Sequence, residues 1–316
     1  MKHRAQFPKL DGKAVLSPMA GVTDVAFRAL ARKYGTALTY TEFTSGTAII
    51  RANVHSLRSI MTDPSEQPVA VQLFGNNVDD VVRAAQLLEE RFDIIDVNCG
   101  CPAWKVIKTG AGSEMLKSPQ KIAHFINALA SAINKPVTLK IRAGIDDTRI
   151  NAVDVARIAE DAGAAAIAIH GRTQHQGYSG TANWDIIKAV KNAVNIPVIG
   201  NGDVFTPEQF KQRLDQSGVD AIMIARGAIG NPFIFTQINQ YLATGCYEHG
   251  NRLAHFFEYC TLAEKYGIPF PALQTHAMGF TKGIIGGSTL REKLSRCKTT
   301  EELLAVMHHQ EMAISR

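Results

Sequence analysis

Two thiols separated by one glycine close the run Ile94-Ile95-Asp96-Val97-Asn98-Cys99-Gly100-Cys101-Pro102. The run reads as a buried strand, and α/β folds place their chemistry just past the C-terminal ends of strands. Cys101 stands at such a position, ahead of Lys108-Thr109-Gly110-Ala111-Gly112, a glycine-rich stretch expected to be flexible. A thiol placed there is a candidate acid or nucleophile. Cys99 reads instead as a small core filler, a common role for free cysteine. The Cys-Gly-Cys gap is wrong for zinc and no second pair accompanies it, so no metal is expected.

Other apolar runs also end on polar residues. With Asn98 the series is Ser17, Glu42, Gln72, Lys140, His170, Asn201 and Arg226. Any one could be a hydrogen-bonded structural residue, but eight at one mouth are costly unless a ligand satisfies them. Gly200-Asn201-Gly202-Asp203 and Ala225-Arg226-Gly227-Ala228 add a phosphate signature. Glycines let backbone N–H groups converge on an anion and arginine adds a charged fork, two tight turns being the plainer alternative. Gln72 and Asn98 suit the edge of a heterocycle, Lys140 an electron-rich ring atom, and His170 a place beside it. Flavin mononucleotide (FMN) fits that set: one phosphate, a ribityl chain and a flat ring system.

The elements that must position these groups are visible as eight β-branched runs, at 14–17, 37–42, 69–74, 94–97, 137–141, 165–170, 197–200 and 221–225. Helical patterns fall between them at 79–91, 119–133, 151–162, 185–194 and 207–215. Near-continuous apolar strands alternating with helices predict an α/β fold, a (β/α)8 TIM barrel. A doubly wound open sheet is the runner-up, but the glycine fingerprint expected after its first strand is missing. Strand signals stop near residue 240, and Thr244-Gly245 marks a break. The last helix opens with the capping-box pattern Thr299-Thr300-Glu301-Glu302. The expected division is a catalytic barrel at 1–240 and a helical domain at 241–316 that docks rather than reacts.

A chain of 316 residues with 46% hydrophobic content suits a globular enzyme. No apolar run approaches the ~20 residues of a membrane helix. The N-terminal Met1-Lys2-His3-Arg4 is basic but lacks the apolar core of a signal peptide. Five scattered cysteines argue against a disulfide framework and point to a reducing, cytoplasmic compartment. The net charge of +5 is unevenly placed: residues 1–60 carry nine Lys/Arg against three Asp/Glu, and residues 101–150 eight against three. That excess suits a polyanion such as RNA or a phosphorylated cofactor, and equally an unevenly charged surface.

Taken together, the chain resembles the tRNA-dihydrouridine synthases. The resemblance is carried in order by Leu16-Ser17-Pro18-Met19-Ala20-Gly21-Val22-Thr23-Asp24, Val71-Gln72-Leu73-Phe74-Gly75, Asp96-Val97-Asn98-Cys99-Gly100-Cys101-Pro102 and Lys108-Thr109-Gly110-Ala111-Gly112-Ser113. It continues in Leu139-Lys140-Ile141-Arg142, Ile169-His170-Gly171-Arg172-Thr173 and the two glycine turns, and more loosely in His276, Lys282-Gly283 and Arg291. It implies that FMN is held by Pro18, Met19, Ala20, Gln72, Lys140, His170, Asn201, Gly202, Asp203, Arg226 and Gly227. It implies substrate contacts from Asn98, Arg172, Lys282 and Arg291, with tRNA as partner and NADPH (or NADH) as reductant. Cys101 would be the general acid, protonating C5 of a uracil that receives hydride at C6, a role that wants a normal or raised thiol pKa. Two other readings share many of these features: a flavin barrel acting on a free pyrimidine or other small molecule, and a tRNA-binding, chaperone-like protein.

Overall fold

Eight parallel strands in this computed structural model follow the eight apolar runs: β1 (Ala14–Leu16), β2 (Thr39–Tyr40), β3 (Val69–Phe74), β4 (Ile94–Cys99), β5 (Val137–Arg142), β6 (Ala166–His170), β7 (Val198–Asn201) and β8 (Ala221–Ile224). Residues 5–314 are described, so the basic opening at residues 1–4 lies outside the described residues. Neighbouring strands pair in parallel around the series, and β8 returns to β1 through Val15 opposite Met223. The circuit closes where Leu16 N donates to Leu38 O at 3.0 Å and Ala37 N to Ala14 O at 2.8 Å. The second strand is shorter than the expected 37–42, and parallel pairing with β3 resumes at Thr44–Ser45, opposite Leu73 and Phe74. The expected (β/α)8 barrel is the fold.

Side chains alternate across each strand, so every strand has an inner and an outer face. The outer residues (Val71 and Leu73, Ile95 and Val97, Leu139 and Ile141) pack under the surrounding helices. Those helices include α1 (Val25–Lys33), α2 (Val78–Leu88), α3 (Pro119–Ala132), α4 (Ala152–Ala162), α5 (Trp184–Ala193), α6 (Pro207–Ser217) and α7 (Ile234–Thr244). In α3, Ile122, Phe125, Ile126 and Leu129 recur at helical spacing and are all buried. Each such side chain contributes about 1.5–3 kcal/mol when fully buried. The inner faces are apolar only at the lower level, where Val15, Tyr40, Ala70, Ile94, Ala168 and Ile199 cluster. Above it the same faces carry Gln72, Asp96, Asn98, Thr138, Lys140 and Arg142. The barrel is therefore sealed below and polar towards its mouth.

Helix α7 ends at Gly245, whose φ of +78° is a left-handed stop that glycine adopts without strain. Four further helices follow: α8 (Arg252–Lys265), α9 (Phe270–Phe280), α10 (Gly287–Arg296) and α11 (Thr300–Ile314). The last is capped as its pattern predicts, Glu302 N donating to Thr299 Oγ1 while Glu302 Oε2 accepts from Lys298 N. These helices rest on α1. Phe27 stacks on His276 at 5.0 Å between ring centres, and Tyr259 lies 4.2 Å from the same imidazole. Lys33 pairs with Glu258 and Lys265 with Asp63. No helix among the described residues is long and apolar enough to cross a membrane.

Asp24 is the hinge of that contact. One carboxylate oxygen caps α1 by accepting from Phe27 N at 2.9 Å, and the other takes Tyr259 Oη at 3.0 Å and His276 Nε2 at 3.1 Å. Burial alone would raise its pKa, but the His276 contact and the remaining donors outweigh that and hold it below the ordinary carboxylate value. A carboxyl depressed on folding stabilises the protein above its unfolded pKa, and this contribution is lost as pH falls through the folded value. Asp24→Ala should cost about 1–3 kcal/mol in urea unfolding near neutral pH, because it strands two buried partners. The gap between variant and wild type should close in strong acid. A variant as stable as wild type near neutral pH would remove Asp24 from this role.

Candidate active site

The mouth of the barrel is a cavity of about 590 Å³, within the ~300–1,000 Å³ typical of small-ligand sites. Cys101 and all eleven residues expected to hold a cofactor line it, as does Asn98.

The cysteine loop is anchored from the barrel interior. Register places Gln72 opposite Asp96, Asp96 opposite Thr138, and Asn98 opposite Lys140. Asp96, wholly enclosed, accepts from Thr138 Oγ1 at 2.6 Å and from Gln72 Nε2 at 2.7 Å. Gln72 Oε1 in turn accepts from Asn98 Nδ2 at 2.7 Å, and Asn98 Oδ1 accepts from Gly100 N at 3.2 Å and Cys101 N at 2.9 Å. From the other side Arg142 Nε donates to Gly100 O at 2.8 Å. The glycine-rich stretch is folded back over the cysteine rather than standing free: Ser113 N and Oγ both donate to Cys101 O at 3.0 Å. A Cβ on Gly112 would sit 2.7 Å from Cys101 O and 2.8 Å from Val106, so only glycine allows this fold-back. Cys99 points away, fully buried, with its sulfur 3.9 Å from that of Met115.

Burial raises the Cys101 pKa, while the Ala103 N–H and the charges of Arg142 and Lys140 pull the other way without prevailing. The thiol therefore stays protonated at neutral pH. Burial, with Arg142 nearby, lowers the pKa of Lys140 to about 8. Burial again, reinforced by Lys140, Arg142, Arg172 and Arg226, keeps His170 well below its usual value and so neutral. Lys140 Nζ donates to Asn201 Oδ1 at 3.2 Å, and Asn201 Nδ2 to Met223 O at 2.7 Å.

At the far end Arg226 is held in place on three sides. Asp203 Oδ1 accepts from it at 2.8 Å, and its guanidinium lies 4.9 Å from the Tyr178 ring centre and 5.7 Å from that of Phe205. Asp203 also takes Arg172 at 2.8 Å and Ala182 N at 2.8 Å, so its carboxylate aims the arginine. Gly202 has a φ of +140°, and a Cβ there would press on Ala182 and, at 3.3 Å, on His170. Gly200 is different, since its Cβ would strike the Trp184 ring at 2.7 Å; this glycine lets α5 approach β7.

Several expected contacts fall elsewhere. Arg172 is buried, and its guanidinium donates to Ser179 O, Gly180 O and Asp203, which turns it into the support of the loop carrying Tyr178. Glu42 Oε2 accepts from Gly21 N at 2.8 Å and thereby fixes the loop after β1. Lys282 is exposed in the turn between α9 and α10, and Arg291 Nη1 braces that turn through Thr281 O at 3.1 Å. Neither lines the cavity. The expectation that eight strand-end groups await a ligand also changes, because Gln72 and Asn98 largely satisfy one another and their neighbours. Asp96, Arg142, Tyr178 and Phe205 were not singled out. Asp96 and Arg142 lie two residues from Asn98 and Lys140, on the same inner face, which is the signal that could have found them.

The mouth of the parallel barrel thus combines a cation and glycine turns, a neutral imidazole and a protonated thiol in one cavity, a set suited to oxidoreductase chemistry. A family model described as dihydrouridine synthase matches residues 15–315, and the chain belongs to that family of flavin-dependent oxidoreductases. It is 44% identical over 239 residues to tRNA-dihydrouridine synthase B of Shewanella oneidensis, covering 75% of this chain and 74% of the relative. It is 36% identical over 302 residues to probable tRNA-dihydrouridine synthase 1 of a Synechocystis species, covering 93% and 84%. Among solved structures, histamine dehydrogenase from a Rhizobium species superposes with a TM-score of 0.57 over 80% of this chain and 49% of its own, at 13% identity. That likeness is one of fold.

The raised thiol pKa has a direct readout. Cys101 should be alkylated by iodoacetamide more slowly at neutral pH than a free thiol, its rate still climbing above about pH 9, as mass spectrometry of its peptide can follow. Rapid alkylation at neutral pH would mean a thiolate and overturn this electrostatic picture.

Proposed function

We propose that the protein reduces a uridine in the D-loop of tRNA to 5,6-dihydrouridine, with FMN as cofactor and NADPH (or NADH) as reductant. The observation that carries this reading is the protonated Cys101 thiol, held by the Asp96–Gln72–Asn98 chain above a cavity lined by the residues expected to bind flavin. The cavity's donor set fits FMN: Arg226 with Gly202 and Gly227 for one phosphate, Asn201 and Lys140 for the ribityl chain and ring, and Pro18, Met19 and Ala20 as a wall beside the ring. When bound, FMN supplies the hydride to C6 of the uracil.

The chain's own residues do the rest. Cys101 holds a proton and delivers it to C5, and Asn98 keeps that thiol at a fixed height over the cavity by gripping the loop's N–H groups. Arg142 pins the same loop through Gly100. His170, being neutral, adds no charge beside the ring, while Lys140 supplies a cation that can balance negative charge there. A uridine in folded RNA must be extruded to reach this depth. Residues 241–316, with Lys282 exposed and Arg291 behind it, together with the basic segments 1–60 and 101–150, would hold the RNA by its backbone. Residues 1–240 would be the catalytic unit, working in the cytoplasm.

Nucleoside analysis of tRNA from a deletion strain should show dihydrouridine missing. Turnover of free uracil or orotate without RNA would favour the small-molecule reading instead, and tRNA binding indifferent to flavin the chaperone reading. Cys101→Ala should keep flavin and lose dihydrouridine formation by about 10²–10⁴-fold, as loss of a general acid does, while Cys99→Ala should stay close to wild type. The reverse order would misplace the acid. Arg226→Ala should lower FMN occupancy about tenfold or more, the loss of a charge-assisted contact; unchanged flavin content in that variant would move the phosphate elsewhere.

A further inference from the structure

Trp104 is 72% exposed at the start of a four-residue helix, Trp104–Ile107, three residues after the cysteine. The chain has two tryptophans. The other, Trp184, is 2% exposed and donates its Nε1 proton to Gly202 O at 3.1 Å. A large ring left in water beside an active site is a feature that burial would ordinarily remove, so it invites a ligand. Trp104 borders a second cleft, of about 420 Å³, on the outer side of the cysteine loop, shared with Lys108, Glu114, Lys117 and Gln174.

The chemistry of that cleft is specific. Glu114 is already paired with Lys117 at 2.7 Å, which leaves Lys108 as a further exposed cation of the cleft, with Lys105 exposed next to Trp104 in the chain. Gln174 contributes a side-chain amide whose enclosed oxygen has no partner among the described residues, an acceptor that a ligand can satisfy once the side chain turns outward. A flat ring, flanking cations and an unused acceptor together match a nucleotide: a base to stack, a phosphate to pair, and a 2′-hydroxyl or amino group to donate. A protein partner would want a wider apolar surface and no cation excess. Trp104 follows Cys101 by three residues, so the two clefts are lined by one short loop, close enough for neighbouring nucleotides of one strand to occupy both.

We propose that this cleft is a nucleotide-stacking subsite, in which Trp104 takes the base of an unpaired nucleotide adjacent to the one being reduced. The subsite rests on the RNA-reducing function proposed above and adds to it how the strand is gripped next to the reacting base. Trp104 thereby becomes a determinant of tRNA affinity that makes no contact with the reacting atoms.

The two tryptophans make the test direct. Titrating the flavin-loaded protein with unmodified tRNA should quench the exposed tryptophan emission to saturation, whereas heparin, a polyanion without bases, should not. In Trp104→Phe the emission left comes from Trp184 and should not respond, while the KM for tRNA stays within about threefold of wild type because a stacking ring remains. Trp104→Ala should raise that KM about tenfold or more, with kcat changed less, and its flavin content and melting temperature check that it is folded. Wild-type KM in the alanine variant, unchanged emission while tRNA binds, or equal quenching by heparin would each overturn the subsite while leaving uridine reduction intact. A wild-type protein that forms no dihydrouridine would instead sink the proposed function, and the contrast between tRNA and heparin quenching would still decide the subsite.

Discussion

The carboxylate of Asp96 sets the polarity of the whole barrel mouth. A side-chain amide has a donor end and an acceptor end, and nothing in its shape decides which way it points. Asp96 offers only acceptors when ionised, so Gln72 must turn its NH2 towards it and its oxygen away. Asn98 must then present NH2 to Gln72, which leaves its oxygen for Gly100 N and Cys101 N. One charge below thus orients two amides and, through them, the loop holding the thiol. Enclosure raises the Asp96 pKa to about 6, opposed by the Thr138 and Gln72 hydrogen bonds and the Lys140 charge, so at neutral pH it keeps the ionised state the relay needs. Removing one partner of such a buried chain is costly because it strands the next.

Charge is arranged around that centre in a graded way. Lys140, Arg142 and Arg226 line one mouth, with Arg172 buried behind it and two carboxylates close by, Asp96 beneath and Asp203 at the rim. Burial first, then Arg142 for Lys140 and all four cations for His170, is what depresses the two. The result is a site biased towards anions at the Arg226 end and towards neutral, protonated groups near Cys101. Asp203 does not cancel the bias; it binds Arg172 and Arg226 at once and so keeps their spacing.

The barrel was legible because fully enclosed parallel strands leave continuous apolar runs, and all eight survived into the structure. The mouth was legible in outline, since polar residues at strand ends have few other reasons to be there. What the sequence did not disclose was partnership. Arg172 looks like a substrate cation until Ser179, Gly180 and Asp203 are seen to enclose it, and Gly200 looks like a phosphate turn until the Trp184 ring is found against it. Such facts depend on register between strands and on loops that meet only after folding. Helix α1 was missed for a related reason: its cap, Asp24, lies in a motif read for its cofactor wall, and its apolar face is shared with helices more than two hundred residues away.

That last contact joins the two ends of the chain at the active site. The loop from Ser17 to Asp24 carries the Pro18–Ala20 wall of the cavity. It is closed on itself by Thr23 Oγ1, which accepts from Met19 N at 3.0 Å and donates to Met19 O at 3.1 Å. Its final residue, Asp24, is gripped by Tyr259 of α8 and His276 of α9. The wall therefore leans on helices outside the barrel. Strands do give way to helices near residue 240, but the barrel's own loop takes part of its shape from the helices that follow it. Whatever loads those helices from outside bears on the cavity wall in part through that carboxylate, and in part through Ile229, which lines the cavity and lies against Gly279 of α9.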